Sequence, residues 1–305
     1  MREDVRQNPE TSTRRLSTQL GISQSSLQNI LHSLKLFPYN VQLVQYLKPQ
    51  DYQTRLQYAV TIQELVRNDP TFLRNLMMSN KAHFHLNGFV NTQNCRFWGS
   101  ENPRAIHQRQ LHPTKCTVWC AMTAEEIIGP YFFEDEDGNV VTVTGIRYRT
   151  MIEDFLLPRI QNRPEVWFQQ DGATAHTARE TMQLLRQCFG NKIIARNGNV
   201  NWPSRSPDLT SPVILLWGYL KEQVYINKPQ TLQKLKENFR NEVRELNRNR
   251  VILHSVMDNV LERAQICEAE NGNHLNDVIF HLFFANKLPL SSSYYVHIPL
   301  RYLQK

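Results

Sequence analysis

The chain of 305 residues has little cysteine and no arrangement of it that does chemistry. The five cysteines, Cys95, Cys116, Cys120, Cys188 and Cys267, are odd in number and form no C-x-x-C pair. That count and spacing argue for reduced, intracellular thiols rather than a disulfide framework or a zinc site. Cys116 and Cys120 flank the strand-like Thr117-Val118-Trp119, which points them to one face as core residues. No apolar run is long enough to cross a bilayer and no signal peptide is legible, so a membrane partner is not expected and the cytosol or nucleus follows. Internal repeats and low-complexity tracts are lacking as well. Acidic residues fall short of basic ones, 28 against 35, and the net charge of +7 with a pI near 9.2 favours a polyanionic partner. About two or three domains with a sizeable core are expected at this length.

What is present centres on residues 167–176, W-F-Q-Q-D-G-A-T-A-H. Val166 to Phe168 is a short β-forming run, Gly172 permits a sharp turn, and Thr174 can cap a helix running to about Cys188. The pattern is a strand ending in an acid, a turn, then a helix. Asp171, fixed by the sheet and exposed by the turn, could hold a hard cation, or it could merely cap the helix that follows. The stretch alone leaves both readings open.

In chain order, residues 1 to about 37 read as a helix-turn-helix. Ser12 caps a helix carrying Leu16 and Leu20, Gly21 makes the turn, and Ser23 caps a second helix whose inner face is Leu27, Ile30, Leu31 and Leu34. The outer face offers Gln24, Ser25, Gln28 and Asn29, short polar side chains of the kind that read base edges, while Arg14 and Arg15 can meet phosphates; an ordinary helical hairpin is the alternative. Residues 38 to about 53 read as a linker, followed by a helix from about Tyr52 to Arg67. Strands are expected at Leu73 to Ser79 and His83 to Leu86, separated by Asn80-Lys81-Ala82, and at Cys116 to Met122 and Ile127 to Phe133. Trp98 and a turn at Glu101-Asn102-Pro103 lie between. Glu134 to Asn139 reads as a solvated acidic hairpin turn. A helix from about Gly145 to Gln161, the strand into Asp171, and a short strand at Lys192 to Ala195 complete a mixed sheet flanked by helices, an α/β domain. A proline-punctuated loop, 201–209, leads into apolar residues 211–221. Polar helices from about Thr231 to Asn247 and Val251 to Asn271 follow; Lys234, Lys236, Arg240, Arg244 and Arg248 make a basic series on the first. The tail after about His281 has no clear pattern, though Phe283, Phe284 and Tyr294 can still pack.

These residues resemble transposases of the mariner superfamily, the insect mariner-like branch, from about residue 5 to 281. The resemblance is carried by Ser12 to Leu31, by A-H-F-H-L-N-G at 82–88, by K-C-T-V-W-C-A at 115–121, and above all by F-Q-Q-D-G-A-T-A-H at 168–176 and N-W-P-S-R-S-P-D-L-T at 201–210. It implies an RNase H-like fold for roughly 73–226, preceded by a small all-α helix-turn-helix domain (1–37) and a linker with one helix (38–72). C-terminal helices (227–281) and a divergent tail (282–305) would follow. It also implies a nuclear protein, and a possible homodimer, that binds the terminal inverted repeats of transposon DNA, with no small-molecule substrate. Cutting and joining in such proteins uses Mg²⁺ or Mn²⁺: three carboxylates hold two metal ions about 4 Å apart for in-line phosphoryl transfer.

Carried over residue by residue, that trio is incomplete. Asp171 is the second acid. The first falls at Asn80, where the family shows Asp-Glu and this chain has Asn80-Lys81. The third falls at Val213, which has no ligand atom. One carboxylate cannot neutralise two divalent ions, so metal affinity and activity are expected to be largely lost. The alternatives are a working transposase using a substitute acid such as Asp208, or a host-recruited, sequence-specific DNA-binding protein. The family pattern makes the counterpart of Asp208 structural; His83 and His85 are expected to pack or hydrogen-bond, and His176 to be a satisfied turn histidine. Only one helix-turn-helix unit fits before residue 37, where the family carries two, which lowers the DNA affinity expected.

Overall fold

The computed structural model describes residues 5, 11–37, 44–86 and 114–275, except the side chains of 211–215. The expectations for Trp98, the 101–103 turn, Cys95, Asn87-Gly88, residues 38–43 and the tail lie outside the described residues, as does the side chain of Val213. By compactness the chain divides into residues 1–43 and 44–305.

The first unit is a pair of helices, α1 (Thr13–Leu20) and α2 (Gln24–Ser33). Ser12 accepts the N–H of Arg15 and Ser23 that of Ser26, each capping a donor the helix cannot satisfy. Gly21 closes α1 in the left-handed conformation at φ +63°. Leu16 and Leu27 are buried between the helices. Ile30, expected on the inner face, is 37% exposed: two short helices have too little surface to cover every apolar position.

The second unit is built on a six-stranded sheet in the order β3-β2-β1-β4-β5-β6. Its strands are β1 (Leu76–His85), β2 (Lys115–Met122), β3 (Ile127–Phe132), β4 (Trp167–Gln169), β5 (Ile193–Ala195) and β6 (Val200–Asn201). β1 to β3 run antiparallel, whereas β1, β4, β5 and β6 pair in parallel. This is the RNase H-like mixed sheet expected from the sequence.

The expected break at Asn80-Lys81-Ala82 does not exist. β1 continues through it, paired with β2 from Met78↔Met122 to His85↔Lys115. The polar residues are tolerated because β4 pairs with β1 only as far as Met78, so the strand beyond has a neighbour on one side alone. Leu73, expected in that strand, belongs instead to a single helical turn, α4 (Phe72–Asn75), after α3 (Pro49–Asn68).

Alternation along the strands divides the core in two. One face buries Leu76, Met78, Phe84, Cys116 and Cys120 against α3, α9 (Ser211–Gln223), α10 (Leu232–Arg248) and α11 (Arg250–Ala269). The other buries Met77, Trp119, Phe168 and Ile193 against α5 (Gly145–Thr150), its π-helical continuation Met151–Leu156, α6 (Leu157–Ile160) and α8 (Arg179–Phe189). Trp119 and Trp217 have no exposed surface to speak of, and each large side chain so buried contributes roughly 1.5–3 kcal/mol. Cys116 and Cys120 share one face as expected; burial pushes the Cys116 thiol up to about 12.

Thr174 does not cap a helix running to Cys188. The helix is two pieces, α7 (Thr174–Thr177) and α8, separated at Ala178 with ψ 142°. The carbonyls of Ala175 and His176, which a continuous helix would offer to Arg179 and Glu180, are taken by the Thr181 hydroxyl (2.9 Å) and the Gln170 amide (3.0 Å). Helix and side chains compete for the same acceptors, and the side chains win.

Candidate functional site

The parallel pairing of β1, β4 and β5 ends at one level. β1 and β4 are in register at Met78↔Gln169, and β4 and β5 at Gln169↔Ile194. Asn80 and Asp171 each lie two residues beyond that level, with Lys81 one further, and Arg196 follows the end of β5, its Cδ 3.7 Å from where a Cβ of Gly172 would stand. The chain leaves β1 towards β2 and β3 and returns to β4 on the opposite side, so the order reverses between β1 and β4. In open α/β sheets the crevice at such a reversal, outside the carboxyl ends of the strands, is where ligands bind.

Asp171 is held from within the chain. Its Oδ1 accepts the N–H of Ala173 at 3.0 Å and lies 2.5 Å from Nδ1 of His176, a contact of ion-pair length set off the line of a hydrogen bond. Its side chain keeps 41% of its surface exposed. Burial works to raise its pKa, but the His176 contact, the charge of Lys81 and the Ala173 N–H outweigh it and hold the carboxyl below the usual carboxylate range. The acid therefore does cap the turn, and it still faces solvent.

His176 is not the fully satisfied turn histidine expected. It is wholly buried, its ring stacked on Tyr148 with centroids 4.2 Å apart, and its Nε2 has no hydrogen-bond partner among the described residues. The Tyr148 hydroxyl donates to Oε1 of Gln170 at 2.9 Å, and the Gln170 amide donates to the His176 carbonyl. This network beneath Asp171 fixes the turn. No sequence motif marked Tyr148, and Gln170 stood in the 168–176 block without a role, because their partnership depends on α5 lying over the end of β4.

Asn80 turns its Oδ1 back to the N–H of Lys81 at 2.6 Å. Its one metal-compatible oxygen is thus already an acceptor. His83 pairs with the Thr117 hydroxyl at 2.9 Å, and burial, then the charges of Lys115 and Lys81, push it down to about 4. Val213 falls in the first turn of α9. Asp208 is no substitute ligand: it is buried, forms a two-pronged pair with Arg55 at 2.8 and 2.6 Å, and accepts the N–H of Leu275. Among the described residues no three His, Cys, Asp or Glu are grouped so as to hold a metal. One carboxylate beside an amide already engaged and a lysine does not fit a pair of divalent cations, which need several hard anionic oxygens.

In the first unit Arg14, Arg15, Gln24, Ser25, Gln28 and Asn29 are all exposed, so they lie where a helix pair could present them to a groove. The basic series on α10 is largely occupied: Lys234 pairs with Glu237, Lys236 with Glu134, and Arg248 with Glu245.

No protein-family model matches the sequence, and no curated protein matches it. Solved structures do. The Mos1 transposase paired-end complex with left transposon end aligns at a TM-score of 0.68 and 14% identity, over 90% of this chain and 78% of that one. The Mos1 mariner paired-end complex with Mn gives 0.68 and 16% over the same shares. The catalytic domain of Mos1 mariner transposase gives 0.58 and 14%, over 77% of this chain and all of that one. Sequence motif, sheet order and structural likeness agree that this chain has a mariner-like transposase fold.

Proposed function

We propose that the protein is a nuclear, DNA-binding, mariner-type transposase-like protein whose strand-cutting centre is impaired. The observation that carries the reading is the level at which the β1–β4 pairing stops: two residues beyond Met78↔Gln169 come Asp171 on one strand and Asn80-Lys81, not a second acid, on the other. Support for a DNA partner comes from the exposed polar and basic side chains of the helix pair and from neighbours solved as paired-end and strand-transfer complexes. Neighbours solved with Mn and Mg support divalent-metal use in proteins of this fold. When bound, such ions would activate the attacking oxygen and stabilise the leaving one. In this chain Asp171 alone remains of the expected carboxylates. Transposon terminal inverted repeats are the expected DNA, and a homodimer the expected assembly.

The test is nicking of inverted-repeat DNA by the purified full chain in Mg²⁺ or Mn²⁺. Wild type is expected to leave the DNA intact, and the double variant Asn80→Asp/Val213→Asp to regain nicking that neither single variant shows. Robust wild-type cleavage that disappears in Asp171→Ala would overturn the impaired reading and favour a working enzyme with an unusual ligand set.

A further inference from the structure

Arg14-Arg15-Leu16-Ser17 sets a hydroxyl three residues after one arginine and two after another, and nowhere else in the chain do two lysines or arginines adjoin. Basic side chains at those two spacings before a serine are what a basophilic serine/threonine kinase reads, through acidic groups of its substrate cleft. Both arginines are exposed, and Ser17 is half-buried.

The fold gives that hydroxyl a task. Ser17 Oγ donates to the Ile22 carbonyl at 2.6 Å, and the Ile22 N–H donates to the Ser17 carbonyl at 3.2 Å. The two residues thus clasp the turn at Gly21 between α1 and α2. Phosphoryl transfer undoes the clasp. The γ-phosphorus of ATP bonds to Ser17 Oγ, its bond to the bridging oxygen breaks, ADP leaves, and the hydroxyl proton passes to the catalytic base of the kinase. Oγ is then no longer a donor, and a group of about −1.5 to −2 charge stands beside a carbonyl oxygen that it repels. Ser17 is also among the last four residues of α1, whose carbonyls make that end of the helix negative. Its neighbour one turn back is Arg14, which at i,i+3 can pair with the phosphate and is then lost to DNA.

Access asks little of the fold. A kinase cleft takes its substrate segment extended, so α1 must open first. It has eight residues, whereas isolated helices shorter than about 12–15 are marginal, and Leu16 alone of its residues is buried. Opening so short a helix lies at the inexpensive end of local unfolding.

We propose that Ser17 is a phosphorylation site for a basophilic serine/threonine kinase, and that its phosphate opens the turn of the helix pair and releases DNA. Only the last step rests on the reading of the protein as DNA-binding.

The experiment treats the full chain with ATP and the catalytic subunit of cyclic-AMP-dependent protein kinase, and locates phosphate by mass spectrometry. Stoichiometric phosphate on Ser17 is expected; Ser17→Ala should lose it, Thr18→Ala should keep it, and Arg14→Ala should slow its addition several-fold. Amide exchange over α1 and α2 should quicken in the phosphorylated chain. Fluorescence anisotropy with a labelled duplex should show affinity lowered several-fold and the slope of log affinity against log salt reduced by about 0.9 for the lost Arg14 contact, both restored by a phosphatase. No phosphate on Ser17 would overturn the proposal, as would a phosphorylated chain with unchanged exchange and affinity. A chain that binds no duplex before treatment would overturn the DNA-binding reading and the release step with it; phosphate on Ser17 with faster exchange would still uphold the site and the switch.

Discussion

Asp171 and Asp208 are both held below the usual carboxylate range, and they show how differently one side chain can be used. Asp171 is half exposed at a strand end, and its partners leave it facing solvent. Asp208 is 5% exposed against an Arg55 with none, and its backbone carbonyl takes a further bond from Arg263 at 2.6 Å. Burial works to raise Asp208, but His274, Arg55 and the Leu275 N–H lower it further than burial raises it. Removing one member of such a pair strands the other charge, so Asp208→Ala should cost about 3–5 kcal/mol, read as a lowered urea midpoint. The pH dependence follows from the sign of the shift. A carboxyl depressed in the folded state stabilises above its unfolded value of 3.8 and loses that contribution as pH falls through it. The stability gap between wild type and Asp208→Asn should therefore hold steady near neutrality and shrink below about pH 4. A gap constant down to the acid limit would show that the pair is not ionised.

At the scale of elements, local chemistry was legible and long-range pairing was not. Ser12, Gly21 and Ser23 could be read as caps and turn because each acts on backbone within a few residues. Gly21→Ala tests this: open space surrounds the position, so only the left-handed backbone penalises the change, by about 1–2 kcal/mol, seen as faster amide exchange over α1 and α2. Gly272→Ala should cost more, because its Cβ would meet the Tyr52 carbonyl oxygen at 2.1 Å in addition to a φ of +79°. The polar pattern at Asn80-Lys81, which in isolation ends a strand, is overridden in β1 by pairing with β2. The break at Ala178 carries no Gly or Pro to announce it; its cause lies in Gln170 and Thr181 taking carbonyls from the turn. Asp171 was legible as a strand-end acid, but Arg196 was not legible as a neighbour of the turn at Gly172, since only the parallel pairing of β4 with β5 brings the two together. The Arg55–Asp208 pair, 153 residues apart, had no local signal at all.

For the whole molecule, net charge makes the broadest statement. A chain of +7 that engages phosphates releases counterions, so its affinity for duplex DNA should fall steeply as salt rises. Replacing Arg14 and Arg15 together by alanine should lower the log–log slope by about 0.9 for each phosphate that an arginine no longer neutralises. Binding indifferent to salt would remove the electrostatic basis for every DNA contact argued above.

The second unit also has a property that no single element displays. Arg55, near its start, donates to the carbonyls of Gly272 and Asn273, and His274 meets the carbonyl of Gln45 at 2.8 Å. The path from residue 45 to residue 274 is therefore a ring, closed by hydrogen bonds rather than by a covalent link. Order at either end is conditional on order at the other, and a truncation after α11 would be felt first at α3, on the far side of the sequence.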